Sequence, residues 1–477
     1  MPRHYRLPLL SFLLLALALL WTFLARPAFL PELNSDSLYL DDLWASFFDG
    51  RGFRAWYLPP APSFFPDLPL YALSLAAGPD LGLRHLLYAL LSAGFLAGGT
   101  ALACRRQLGL GAWESCVCGL SGLGLYVAFM SSNSSLSQIF VPGHHGGAMI
   151  VALGMLALAP QKEAPSAVAL LFWALAAGMM ALSDRLILAW ALLPLFFSLG
   201  RERVPRLAWF AALLTGWVLA SAILFSWRHQ GPHIGSFGIA FYFAHTGPIV
   251  REGFRSFAAL IRQEIPLSLA AVAWFGFLAW RTRPALAWFS CLSALASLGI
   301  IAFAGGVSGR YFYPIFYGAA AFLPAFAALR FKGSGTAAAW GIILVLGLRS
   351  LNAGVPSLEL HREASPPGLA ELEASLKAGP PSCGYADYWR SRQLRMLSKG
   401  VVWTDPLMDY PKLGRVAPHR WISNPLAPPY PRNYVVVNGL DTACLEGTFG
   451  KPSVKKIFEG LEVWFYQGGL APKEMPE

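Results

Sequence analysis

Apolar runs long enough to cross a bilayer recur about eleven times in the chain, some of them short or poorly separated. They centre near residues 7–25, 83–104, 113–131, 146–160, 166–182, 186–199, 207–225, 266–280, 285–304, 312–329 and 336–350. The least distinct boundary is the "SDR" break at 183–185. The first run follows Arg3 and Arg6, is longer than a signal-peptide core of about 7–15 residues, and is followed by Pro27 where cleavage would fall. It therefore predicts an uncleaved first transmembrane helix. From residue 351 the pattern changes: "YVVVNG" and "LEVWFYQ" predict strands, "YWRSRQLRMLS" a helix, and Pro and Gly punctuate the rest. The expected architecture is a polytopic α-helical membrane domain over 1–350, with a first outer loop at 26–82, and an extracytoplasmic α/β domain over 351–477.

Composition agrees with that division. The 477 residues are 56% hydrophobic and 13% charged, against about 25% charged in ordinary soluble domains. Residues 1–350 carry 23 Lys+Arg against 13 Asp+Glu, net +10, and the tail carries 14 against 13. The basic excess thus belongs to the membrane part, where it is nearly all Arg.

Its placement predicts orientation. With the N-terminus inside, the inner loops read "CRRQ", "QKEAP", "RERVPR", "RTRP" and "RFKG", all basic. The loops at 26–82, 132–145, 183–185, 226–265 and 305–311 then face out, as does the tail. The expected location is the inner (plasma) membrane, with a cytoplasmic N-terminus and a periplasmic C-terminal domain. Arg228, Arg251, Arg255 and Arg262 fall in the long outer loop and call for an explanation other than topology. In an oxidising compartment Cys383 and Cys444 are expected to pair, with two buried thiols as the alternative.

On this topology the unusual polar residues share one face. Asp36, Asp41, Asp42 and Asp67 lie in the first outer loop, and His144 and His145 in "VPGHHGG". Asp184 and Arg185 lie in "LSDRLIL", and Arg310 and Tyr311 in "SGRYFYP". Ionisable groups at membrane depth are costly and mark function by default. Simpler readings exist for each: a solvated helix face at Asp41 and Asp42, a helix cap at the histidines, a structural turn at Asp184–Arg185, an interfacial anchor at Arg310. Gly94 and Gly98 (GxxxG) read as helix packing. "GLSGLG" at 119–124 lacks a strand–turn–helix setting and is no nucleotide loop.

The order of these motifs resembles the GT-C superfamily of membrane glycosyltransferases, in the branch of protein O-mannosyltransferases and the lipid A aminoarabinose transferase. "SDSLYLDDL" is similar to that family's acidic motif, with Asp36 at the first acid and Ser37 where Glu often stands. "LPPAPSFFPDLPLY" resembles the following "KPPLYY"-like stretch, with Asp67 near its usual basic position. "LSDRLIL" and "GRYFYPIF" resemble later family turns. The resemblance implies an inverting transfer of a sugar from a polyprenyl-phosphate donor to a hydroxyl on a glycan, lipid or protein acceptor. In that reading Asp36 is the general base. Asp67, His144, His145, Asp184, Arg185, Arg310 and Tyr311 line the substrate site, the arginines binding the donor phosphate. Asp67 is the rival base, and an N-cap at Asp36 or Ser35 the structural alternative.

Membrane lipid is an expected partner and nucleic acid is not. No cofactor is demanded; a divalent cation could join the first-loop acids, but no ligand spacing requires one. A lipid-linked glycan transporter or flippase, a non-catalytic envelope assembly protein, and a polymerase or ligase of related architecture are the competing classes.

Overall fold

The computed structural model describes residues 6–25, 33–48, 50, 56–59, 61–131, 134–159, 166–184, 186–198, 203–230, 233–234, 246–281, 284–301, 309–330, 334–351, 355–362, 365–410, 414–419 and 429–470. The helices, in chain order, begin with α1 (Arg6–Ala25), α2 (Ser35–Phe48), α3 (Asp67–Ser74), α4 (Leu81–Leu108), α5 (Ala112–Phe129) and α6 (Gly146–Leu158). They continue with α7 (Ala167–Ser183), α8 (Leu193–Ser198), α9 (Arg203–Gln230), α10 (Thr246–Gln263), α11 (Ile265–Arg281) and α12 (Pro284–Ile301). The last are α13 (Tyr313–Arg330), α14 (Ser334–Leu351), α15 (Leu369–Lys377), α16 (Tyr388–Leu397) and α17 (Thr442–Phe449). Two compact units result. One comprises Met1–Pro31, Ala61–Leu224 and Phe237–Arg362, the other Glu32–Pro60, Phe225–Ser236 and Glu363–Glu477. The first outer loop is thus divided between them.

The first unit is a helical bundle, and every predicted apolar run is helical in it. Among the described residues five helices are long and apolar enough to cross a membrane: Leu7–Ala25, Leu81–Leu108, Ala112–Phe129, Leu207–Trp227 and Gly309–Leu329. A sixth span is available if Val250–Gln263 and Ile265–Leu278 count as one broken element, bent by 101°. The other predicted spans are shorter apolar helices among the described residues.

Local chemistry sets the ends of α4. The Asp80 side chain accepts from the Leu83 N–H, and Gly109 closes the helix at φ 73°. The close helix contacts fall elsewhere than GxxxG predicts. No described residue comes within 4 Å of a Cβ built at Gly94 or Gly98, whereas one at Gly119 would lie 2.3 Å from the Ala97 carbonyl of α4. One at Gly122 would lie 2.6 Å from Ala321 of α13. The small residues that bring α5 against both neighbours therefore belong to "GLSGLG".

The second unit holds a six-stranded sheet of β3 to β8, after a short parallel pair of β1 (Tyr57–Leu58) and β2 (His233–Ile234). The strands are β3 (Cys383–Asp387), β4 (Thr404–Tyr410), β5 (Arg415–Pro418), β6 (Arg432–Val436), β7 (Val454–Phe458) and β8 (Leu461–Phe465), in the order β5-β4-β3-β6-β8-β7. The central β4-β3-β6 pairs are parallel and the flanking ones antiparallel. Period-two alternation covers both faces. Tyr385, Val435 and Trp464 pack with Leu407 and Leu445 on one side, and Ala386, Tyr434, Val436 and Val463 with Leu372 and Leu394 on the other. This is the expected α/β tail. Its two cysteines, expected to pair, are both free and buried. Cys444 is enclosed in the first of these apolar clusters, which does not include Cys383.

Candidate functional site

Within the bundle, one end gathers the polar residues. The chain before α3 is held to the end of α7 by two bonds: the Ser63 N–H donates to the Ser183 carbonyl at 3.0 Å, and the Phe65 N–H to Ser183 Oγ at 2.6 Å. Asp67 follows in the first turn of α3 and is only 2% exposed. Its carboxylate accepts from the Tyr88 hydroxyl of α4 and from the backbone N–H of Gly147. Gly147 opens α6, where backbone N–H groups have no partner within the helix and favour an anion. A Cβ there would stand 2.2 Å from Asp67 Oδ2 and 2.7 Å from Pro66 Cδ, so the approach requires glycine. Burial, reinforced by the neighbouring Asp184 charge, raises the Asp67 pKa to about 7 against the opposing Tyr88 and Gly147 hydrogen bonds.

The two histidines precede α6. His145 sits at φ 66° as the helix begins, and its Nδ1 lies 2.6 Å from Asp184 Oδ2. Asp184 is buried at the end of α7, and its other oxygen accepts from the Leu186 N–H at 3.0 Å. Trp190 and Tyr311 flank the His145 ring.

His144 is also buried. Arg310 Nη1 is 3.2 Å from its Nδ1, which must accept because guanidinium only donates. The imidazole is then neutral, with its proton on Nε2, and Nε2 is buried with no hydrogen-bond partner among the described residues. Burial first, and the Arg310 charge second, hold its pKa well below the usual histidine range. Tyr313 donates to the His144 carbonyl at 3.3 Å, and the Arg310 guanidinium lies 5.5 Å from the Tyr311 ring centre. The turn carrying Arg310 packs on the turn at Ser135, where a Cβ at Gly309 would meet Ser135 Oγ at 2.1 Å.

Asp67, His144, His145, Asp184, Arg310 and Tyr311 are therefore brought together from sequence-distant turns. Arg185 lies outside the described residues. Tyr88, Gly147, Trp190 and Tyr313 belong to the same cluster and were not singled out by sequence. Only the Gly146–Gly147 pair after two histidines carried a signal for them.

Asp36 lies in the second unit. The α2 cap is Asn34, whose Oδ1 accepts from the N–H groups of Asp36 and Ser37 at 3.0 Å each; neither Asp36 nor Ser35 serves as the cap. Asp36 Oδ1 instead accepts from the Tyr388 hydroxyl of α16 at 2.5 Å. Ser35 donates to the Tyr388 carbonyl, and Arg392 Nη1 donates back to the Ser35 carbonyl at 3.0 Å. Asp42 accepts from Arg392 Nε at 3.0 Å and from Arg395. Asp41 is buried and Asp42 nearly so, which excludes a solvated face. Burial lowers the pKa of both arginines to about 10, leaving them charged at neutral pH. The His419 ring lies 4.6 Å from that of Tyr388; burial lowers its pKa to about 4, against the Asp36 charge.

Among the described residues no group of three or more His, Cys, Asp or Glu side chains is placed to hold a metal ion. No family model, curated protein or solved structure matches the chain.

Proposed function

We propose that the protein is an integral-membrane glycosyltransferase of the GT-C kind that takes a sugar from a polyprenyl-phosphate donor on the outer face of the membrane. The observation that carries the reading is the cluster of buried Asp67, His144, His145 and Asp184 with half-buried Arg310 at one end of an apolar helical bundle. In the proposed reaction the acceptor oxygen attacks the anomeric carbon from the side opposite the phosphate. The C–O bond to phosphate breaks, its electron pair leaves with polyprenyl phosphate, and the acceptor proton passes to a carboxylate. Arg310 is suited to the leaving phosphate by its planar donor fork. The buried His144 Nε2–H, without a partner among the described residues, is a second donor in the same cluster.

Two first-loop acids compete for the role of base. Asp67 shares the cluster with Arg310, and a carboxyl titrating near 7 is matched to proton transfer at neutral pH. Asp36 spends one carboxylate oxygen on Tyr388 in the other unit. We therefore assign the base to Asp67, and to Asp36 the positioning of α2. An arrangement of eleven spans with the tail outside belongs to the same proposal.

The bent pair of helices also favours a transporter, since broken helices are common in that class. Purified protein given a radiolabelled polyprenyl-phosphate sugar and a panel of hydroxyl acceptors separates the two. Release of polyprenyl phosphate with label on the acceptor supports the enzyme. Movement of intact donor across proteoliposomes without bond cleavage would replace it.

A further inference from the structure

α10 has three faces. Gly253, Leu260 and Glu264 are buried against the bundle, and the Phe257 ring lies tilted 4.6 Å from that of Phe312, two residues past Arg310. Beside that face runs an exposed apolar stripe of Phe254 (54% exposed), Ala258 and Ile261 (38%), at helical spacing within α10. Next to it lies a second exposed stripe with Arg251, Arg255 and Arg262. The acid on this exposed surface is Glu252, 3.5 Å from Arg255, so the stripe keeps a positive excess.

The bend that lays α10 over at 101° to α11 is pinned. Glu264 at the break is fully buried and accepts from the Ser131 N–H at 2.9 Å and from Ser131 Oγ at 2.5 Å. Gln263 donates to the same hydroxyl at 3.1 Å. A helix turned out of the bundle, with an apolar flank beside an arginine flank, has the make-up of a helix lying in a membrane surface. The apolar stripe enters the acyl boundary, and the arginines reach the headgroups with their stems along it.

We propose that α10 is an interfacial helix that binds anionic phospholipid headgroups through Arg251, Arg255 and Arg262. The positive excess selects the anion, and the guanidinium fork matches the phosphate. The inference goes beyond glycosyl transfer and stands or falls separately from it.

The test uses full-length protein mixed with equal amounts of phosphatidylglycerol and phosphatidylcholine, the lipids retained on it being counted by native mass spectrometry. One basic residue near a lipid surface is worth about fivefold in affinity. The wild-type protein should therefore retain phosphatidylglycerol in at least about fivefold preference, less at high salt. The Arg251→Gln/Arg255→Gln/Arg262→Gln variant should approach equality with its melting temperature unchanged, since all three side chains are exposed. Excess inorganic phosphate should displace none of the lipid. Equal retention by the wild type, full preference in the variant, or displacement by inorganic phosphate would each overturn the proposal, the last by reassigning the arginines to a soluble anion.

Discussion

In the proposed reaction Asp67 is the base, and its surroundings make that role testable. As a base it must be ionised, so kcat/KM should rise with pH through about 7, the value to which burial lifts it. Tyr88 donates to the ionised form, so Tyr88→Phe should move that limb to higher pH. Asp67→Asn should lower turnover by about 10²–10⁴ with the protein still folded. Near-normal turnover in that variant would remove Asp67 from the chemistry. Linkage gives an independent check. A carboxyl whose folded pKa lies above its unfolded one stabilises the fold below the unfolded value and loses that contribution as pH rises to the folded one. The Asp67 contribution should therefore fall between about pH 4 and pH 7, and Asp67→Asn should flatten that part of the melting profile. Gly147→Ala tests the geometry instead. A methyl group 2.2 Å from Asp67 Oδ2 must displace the carboxylate, and a shift of this size can cost about 10²-fold in turnover. Full activity in Gly147→Ala would show that Asp67 is not held where the site needs it.

At the scale of elements, α2 is held by the charges of α16. Removing one partner of a buried ion pair costs about 3–5 kcal/mol, and Asp42 serves both Arg392 and Arg395. Asp42→Ala should therefore speed amide exchange in α2 and α16 by about 10²–10³-fold through local opening. Unchanged exchange would mean that α2 is held by its apolar residues alone. Asp36→Asn removes the charge that faces Tyr388, Arg392 and His419 and, on the proposed assignment, should leave turnover near normal. A loss of about 10²–10⁴ would return the role of base to Asp36 and take it from Asp67.

These contacts mark where sequence reading stops. The apolar runs, the tail's strands and the acids at helix ends follow from local pattern, which the chain carries residue by residue. That Asp36 faces Tyr388 is set by packing across some 350 positions, and no local pattern encodes it. The α10 segment reads as loop in sequence because its apolar positions alternate with arginines and fall short of a span. The packing glycines were misplaced for a related reason. GxxxG describes spacing, whereas close approach depends on which face meets a neighbour, and Gly94 and Gly98 face outward.

In the bundle as a whole, the clustered residues and the basic loops lie at opposite helix ends. α4 runs from Tyr88 in the cluster to Arg105 and Arg106 in its last turn, and α13 runs from the Arg310 turn to Arg330. α6 starts at the cluster and runs away from it, while α7 comes back to it at Asp184. α14 starts after the basic "RFKG" and ends with Arg349, which donates to the Ala128 carbonyl and, at 3.0 Å, to that of Met130. Those carbonyls close α5, and the next residue, Ser131, binds Glu264 beside α10. Short basic loops stay on the cytoplasmic side, so this alternation predicts that the cluster faces out and that the chain leaves α14 on the outer side. A phosphatase fused after residue 477, active only when exported, should therefore be active. The same reporter placed between Arg106 and Ala112 should be silent. The reverse pattern would put Asp67 and Arg310 on the cytoplasmic face, where a flipped lipid-linked donor is not presented, and the glycosyltransferase reading would fail with it.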